Sequence, residues 1–312
     1  MKTALSLSRA IDFYLSTRRS LGYRLKTDET LLRSLARYAR KAQRHGPLTE
    51  ELVYQWARLP INADPVWWAR RVVVVQRFAR FWNAFDPRVQ VPQSGVFGSA
   101  YRRNPVHIYT AEEISNLLEA AADLQPAWSL RPATYKSLMG LLACTGLRIS
   151  EALHLQMEDF DAATGILLIG RSKGGQSRCV PIQRSVVKAL NDYKRLRYKH
   201  HPQSQSSAFF LSKKGRPVSY RAANDAFRSL KKQLGWNQSP TPRLYDLRHT
   251  FAVKRLITWQ RRKDDAVGRK ILALATYLGH SNIRHTYWYL SAVPELLAIA
   301  SKRLTASDRR HS

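Results

Sequence analysis

Four short stretches of this sequence carry side chains suited to phosphate chemistry. In CTGLRISEALHL (144–155), Arg148 follows a glycine turn and precedes an amphipathic run. An arginine at a helix start can present its planar fork to a phosphate, and the helix N-terminus adds a favourable field. The plainer reading is a surface arginine paired with Glu151. In RSKGGQSR (171–178), Lys173 stands at the tip of a basic hairpin. A lysine there can protonate a leaving oxygen, or it is simply a solvated turn residue. In YDLRHTFAV (245–253), Arg248 and His249 stand at what reads as another helix start. YLGHSNIRHTYWYL (277–290) holds His280 and three tyrosines, Tyr277, Tyr287 and Tyr289. A tyrosine beside a cleft is core, a stacking platform for bases, or a covalent nucleophile.

The elements that must position these residues are mostly helical. Leu5, Ile11, Tyr14 and Leu15 form one apolar stripe, and Leu31, Leu32, Leu35 and Tyr38 form a second. ADPVWWARRVVVVQRFARFWNAF (63–85) opens with Asp64 as an N-cap and Pro65 at the first helical position. Val72–Val75 is strand-like in isolation, but the Trp, Arg and Phe spacing around it favours one long helix. Residues 86–108 mix Pro, Gly, Ser and Arg without periodicity, a linker signature. Thr110 and Glu113 then have the spacing of a capping box, which opens a new domain. TGILLIGRSKGGQSRCVPI (164–182) reads strand, turn, strand, with Gly174 and Gly175 at the tip. Helices are expected at about 184–199, 219–234, 244–259, 270–280 and 294–304.

The chain has 312 residues, more than one core usually supports, so two domains are expected. Lys and Arg number 52 against 22 Asp and Glu, a formal charge of +30. The sequence pI is about 10.7. Such an excess calls for a polyanion, most commonly a nucleic-acid backbone. Charge carried only for solubility, RNA binding and an anionic membrane surface are the rivals. Residues 1–90 hold 17 Lys and Arg against 7 Asp and Glu, which suits a DNA-gripping module. No stretch approaches the roughly 20 apolar residues of a membrane span. Arg9 and Asp12 interrupt the apolar N-terminus, which therefore does not read as a signal peptide. Cys144 and Cys179 are too few for a disulfide framework or a metal cage, so the reducing cell interior is expected. No His, Cys, Asp or Glu cluster has metal-ligand spacing, and neither a metal nor a cofactor is expected.

In combination and order, these boxes resemble the tyrosine recombinase (phage integrase) family. They are TGLRxSEAL around Arg148, the hairpin lysine, DLRHT at Arg248, LGHS at His280 and the final tyrosine, spanning essentially all of 108–295. The resemblance implies a mainly α fold with a small antiparallel β insert, arranged as a two-domain DNA clamp. Residues 1–90 would be a helical, SAM-like core-binding domain, 91–107 a linker, 108–304 the catalytic domain and 305–312 a disordered tail. It implies a site-specific recombinase of the integrase or transposase type, which cuts and rejoins DNA through a 3′-phosphotyrosyl link without metal or external energy.

By the same resemblance, Arg148 and Arg248 would hold the non-bridging oxygens of the phosphate and His280 would add a donor. Lys173 would protonate the departing 5′-oxygen. Tyr289, nine residues after His280, would be the nucleophile, with Tyr287 in reserve, Tyr277 in the core and Trp288 packing that segment. Glu151 would orient Arg148. The chain departs from the family at Tyr245, where a histidine usually stands three residues before the second arginine. A phenol with an ordinary pKa of about 10 is a poor base at neutral pH, so differently tuned catalysis is expected. His249 could stand in for it, although its place beside Arg248 on a helix should direct it elsewhere. The implied partners are double-stranded DNA, three further copies in a homotetramer on two DNA sites, and accessory recombination proteins. The implied address is the cytoplasm, at the nucleoid. Two alternatives stay open: a catalytically silent DNA-binding protein of the same fold, and type IB topoisomerase-like relaxation.

Overall fold

The computed structural model describes residues 6–44, 46–102, 105–170, 177–261, 267–280 and 282–292. The chain divides into two compact units, Met1–Asn104 and Pro105–Ser312. The expected helix at 294–304, the tail and the hairpin tip with Lys173 lie outside the described residues.

The first unit packs four helices, α1 (Leu7–Ser20), α2 (Lys26–Lys41), α3 (Glu50–Ala57) and α4 (Pro65–Asn83). Asp64 caps α4 through the Val66 N–H, and Pro65 occupies its first turn. The valine run is therefore helical: Val72, Val75, Phe78, Ala79 and Trp82 recur at helical spacing and are buried, so amphipathic packing outweighs β-propensity. They meet Ile11, Tyr14, Leu15, Leu32, Leu35, Val53 and Trp56 in one core. The buried Arg71 guanidinium lies 3.9 Å from the Trp56 ring centre and donates to Trp56 O at 2.8 Å, tying α4 to α3. This unit runs past the expected linker start. Val91 and Phe97 pack on its core, Gln76 Nε2 donates to Pro92 O, and the Gln93 N–H donates to Tyr54 Oη. Two isolated apolar residues in a Pro/Gly stretch carry no period, so the sequence pattern cannot reveal that docking.

The second unit begins with α5 (Ala111–Ala122), where Thr110 and Glu113 close a reciprocal capping box. Next come α6 (Arg131–Thr145), α7 (Ile149–Leu153) and an antiparallel sheet in the order β1 (Phe160–Asp161), β2 (Ile166–Ile169), β3 (Arg178–Pro181). The register sets Leu167 against Val180 and Ile169 against Arg178. The helices α8 (Arg184–His200), α9 (Tyr220–Gln233), α10 (Asp246–Arg261), α11 (Val267–Leu278) and α12 (Arg284–Ala292) follow. The short β1 and the helices α6 and α12 were not read from the sequence. A large core gathers α5, α6, α8, α9 and the sheet around Leu138, Tyr193, Phe209 and Phe210. A smaller one joins α10, α11 and α12 through Phe251, Leu256, Leu274, Leu278 and Tyr289. No helix among the described residues is long and apolar enough to cross a membrane.

Candidate active site

Arg148, Arg248, His280 and Tyr289 converge on the C-terminal end of α11. A helix end leaves backbone carbonyls without intrahelical partners and carries partial negative charge. Three guanidiniums satisfy both needs here. Arg178 Nε donates to Tyr277 O at 2.7 Å, Arg248 Nη2 to Leu278 O at 2.7 Å, and Arg148 Nη2 to Gly279 O at 2.8 Å. Gly279 leaves the helix at φ +66°, and a Cβ there would sit 2.8 Å from Arg178 Nη1. Only glycine permits both the left-handed turn and the arginine.

Arg148 reaches this point because Gly146 ends α6 at φ +63° and turns the chain directly into α7. A Cβ on Gly146 would lie 2.6 Å from Phe251 Cδ1. Glu151, one turn into α7, accepts at both oxygens. Oε1 takes Arg148 Nη1 at 2.7 Å and Arg178 Nη1 at 3.1 Å; Oε2 takes Arg178 Nη2 at 2.8 Å and the Arg148 N–H at 3.0 Å. Burial pushes this carboxyl up, but the Arg178 hydrogen bonds and then those of Arg148 outweigh it and hold its pKa down at about 2. Arg148 is thus both the expected partner of Glu151 and a member of the cluster.

Arg248 is only 1% exposed. Its Nη1 donates to Gly146 O at 2.8 Å, and its buried Nε has no hydrogen-bond partner. Burial, then the Arg148 charge, lowers its pKa from the ordinary value. His280 Nδ1 pairs with Thr286 Oγ1 at 2.8 Å. Burial, followed by the charges of Arg248 and Arg148, drops its pKa to about 3, so it is neutral at pH 7.

Tyr289 and Tyr287 part company on α12. Tyr289 is 2% exposed, with its ring nearly parallel to that of His280 at 6.4 Å between centres, whereas Tyr287 is 47% exposed. Burial raises the Tyr289 pKa, opposed in part by Arg248. Tyr277 is packed on Phe251, nearly parallel at 5.6 Å, and Trp288 packs on the same small core. Tyr245 is 44% exposed and meets the His249 ring edge-on at 4.9 Å.

His249 corrects the sequence reading. It does not point away from the cluster: its Nδ1 lies 3.0 Å from Tyr289 Oη. Adjacent residues on a helix diverge by about 100°, but α10 has a neighbour on each side. Arg248 turns to the α11 terminus and His249 to α12. Arg178 and Thr286 were also missed. Arg178 stands in the same basic hairpin as Lys173, but only the β3 register shows which of its arginines faces inward.

The two depressed histidines give a signed prediction. An unfolded histidine takes a proton below about pH 6.5, whereas folded His249 and His280 stay neutral down to about 4 and about 3. The unfolded chain then binds more protons, so stability falls with pH from about 6.5 downward. Glu151, depressed from 4.5 to about 2, adds a further loss below pH 4.5. Calorimetric Tm values are expected to decline continuously from pH 7 to pH 4.5; a constant Tm over that range would refute the assignment.

Known proteins share both the sequence and the fold. The family described as "Phage integrase family" matches residues 108–295. The y4rB protein of Sinorhizobium fredii, provisionally named an integrase/recombinase, is 37% identical over 303 residues, 95% of this chain and 96% of that one. The Tn1549 transposon integrase, solved with transposon right-end DNA, shares the fold at a TM-score of 0.69 and 16% identity, covering 96% of this chain and 100% of that one. The XerH site-specific recombinase, solved bound to its palindromic difH substrate after cleavage, gives 0.67 and 19%, with coverage of 96% and 84%. The chain belongs to the phage integrase family and is a tyrosine recombinase, an enzyme of site-specific DNA strand transfer.

Proposed function

We propose that Tyr289 is the nucleophile of this recombinase and that Arg148, Arg248 and His280 bind the phosphate it attacks. The observation that carries this reading is the convergence of two arginines, His280 and the buried Tyr289 hydroxyl from four separate helices and turns. Arg248 Nε and the outer edge of Arg148 would donate to the non-bridging oxygens as charge develops on the phosphorane. In this reading Nδ1 accepts from the Thr286 hydroxyl, so that His280 would carry its proton on Nε2, the nitrogen left to donate. Tyr289 Oη attacks phosphorus, the bond to the 5′-oxygen breaks, and a 3′-phosphotyrosyl link stores the bond energy for rejoining. Lys173 of the hairpin supplies the proton to the 5′-oxygen. Tyr245, in place of the family's histidine, is assigned no proton transfer.

The substrate in this reading is double-stranded DNA, gripped by both units as a clamp, with four protomers on two sites and accessory proteins as the context demands. The first unit presents a stripe of exposed arginines, Arg33, Arg37 and Arg40, at helical spacing on α2. Each phosphate neutralised adds about −0.9 to the slope of log affinity against log salt. If the clamp neutralises about six phosphates or more, affinity falls roughly a thousandfold between 50 and 200 mM salt. A titration of duplex binding against salt tests this, and a slope near zero would sink the clamp.

A further inference from the structure

Tyr289 needs a proton acceptor, and Tyr245, standing where the family usually has a histidine, is a half-exposed phenol. Four residues on, in the first turn of α10 and edge-on to the Tyr245 ring, His249 carries an imidazole and places Nδ1 3.0 Å from Tyr289 Oη. Around it stand Tyr289 and Trp288 from α12, Arg248 from its own helix, Tyr245 and Arg243 just before that helix, and His280. Among the groups whose positions are described, His249 is the one in hydrogen-bond contact with the reacting oxygen.

We propose that His249 is the catalytic base of this enzyme, taking the Tyr289 proton as the phenolic oxygen attacks phosphorus. The proposal rests on Tyr289 being the nucleophile. The Oη–P bond forms as the bond from phosphorus to the 5′-oxygen breaks. The phenolic proton passes to Nδ1, leaving an imidazolium, and the 5′-oxygen takes its own proton from Lys173. In rejoining, the 5′-hydroxyl gives its proton back to Lys173 as its oxygen attacks phosphorus, the Oη–P bond breaks, and the imidazolium returns its proton to the leaving phenolate.

The resting groups are held neutral. Burial first, then the charges of Arg243 and Arg248, lowers the His249 pKa to about 4. Burial raises that of Tyr289. No phenolate therefore accumulates before substrate arrives. A phosphodiester lodged against Arg248 offsets part of the positive charge that depresses His249, and bond formation to phosphorus acidifies the phenol. Transfer is confined to the transition state, which keeps a free phenolate from attacking elsewhere.

Two measurements test this on the full chain. In the first, the ¹⁵N spectrum of histidine-labelled protein at pH 7, with His249 assigned by difference from His249→Asn, is expected to show a bare Nδ1 and a protonated Nε2. The opposite tautomer would overturn the proposal without any reference to DNA. In the second, a nicked duplex recovered from genomic DNA of the source organism by adduct trapping is the probe. His249→Asn is expected to slow adduct formation by about 10²–10⁴-fold, with duplex binding retained. The slowing is expected to persist when sulfur replaces the bridging 5′-oxygen, because a thiolate leaves without a proton. Full speed in the variant, or rescue by sulfur, would exclude His249 as the base. An adduct that survives Tyr289→Phe would instead refute the nucleophile and with it the parent reading.

Discussion

Tyr289→Phe is expected to abolish the denaturant-resistant protein–DNA adduct while changing duplex affinity by no more than about twofold. The substitution removes one hydroxyl from a packed ring, and among the described residues its polar cost is the pairing with His249 Nδ1. A single buried hydrogen bond contributes about 1 kcal/mol to stability, too little to unfold a domain whose small core also includes Phe251, Leu256, Leu274 and Leu278. Binding runs through phosphate contacts spread over a basic surface, so it is nearly blind to one phenol. Tyr287→Phe is the matched control. It lies two residues earlier, roughly 200° around the helix, is 47% exposed, and its loss is expected to leave adduct formation nearly unchanged. Electrophoresis of denatured reaction mixtures separates the two outcomes.

Arg248→Lys is expected to slow adduct formation by about 10²–10³-fold, the usual cost of losing one preorganised donor to a developing oxyanion. It is also expected to lower the Tm, unlike Tyr287→Phe. The guanidinium spans Gly146 O and Leu278 O, joining the end of α6 to the end of α11. A lysine cannot bridge both with a fixed fork. It would leave a buried carbonyl unpaired, at about 1–3 kcal/mol, and a compact charge in a site where Arg248 is 1% exposed. Arg148 is more open and shares its carbonyl contacts with a carboxylate, so Arg148→Lys is expected to cost comparable activity with a smaller fall in Tm. Single-turnover cleavage and calorimetry on the same preparations test both halves, and wild-type cleavage by Arg248→Lys would remove it from the phosphate site.

The helices were largely legible because their signals are local. Asp64 and Pro65 start α4, Thr110 and Glu113 start α5, and apolar spacing carries the valine run inside α4. The order of the boxes around Arg148, Arg248, His280 and Tyr289 was legible too, and it pointed to the family. What the sequence hid depends on tertiary packing. His249 was misdirected because sequence neighbours on a helix diverge, and only the placement of α12 brings Tyr289 to it. Arg178 was overlooked because two further basic residues, Arg171 and Lys173, crowd its hairpin, and its value comes from a shared carboxylate and a helix terminus remote in sequence. The folding of Val91 and Phe97 onto the first core was invisible because it has no period.

Adduct mapping tests the central claim most directly. The wild-type protein would be incubated with nicked duplexes from the source genome, denatured and digested, and the residue carrying the nucleotide identified by mass spectrometry. A nucleotide linked through its 3′-phosphate to Tyr289 is the predicted result, and it would also show that Tyr245 is compatible with cleavage. Linkage to Tyr287, or tight binding of those duplexes with no covalent product, would contradict it.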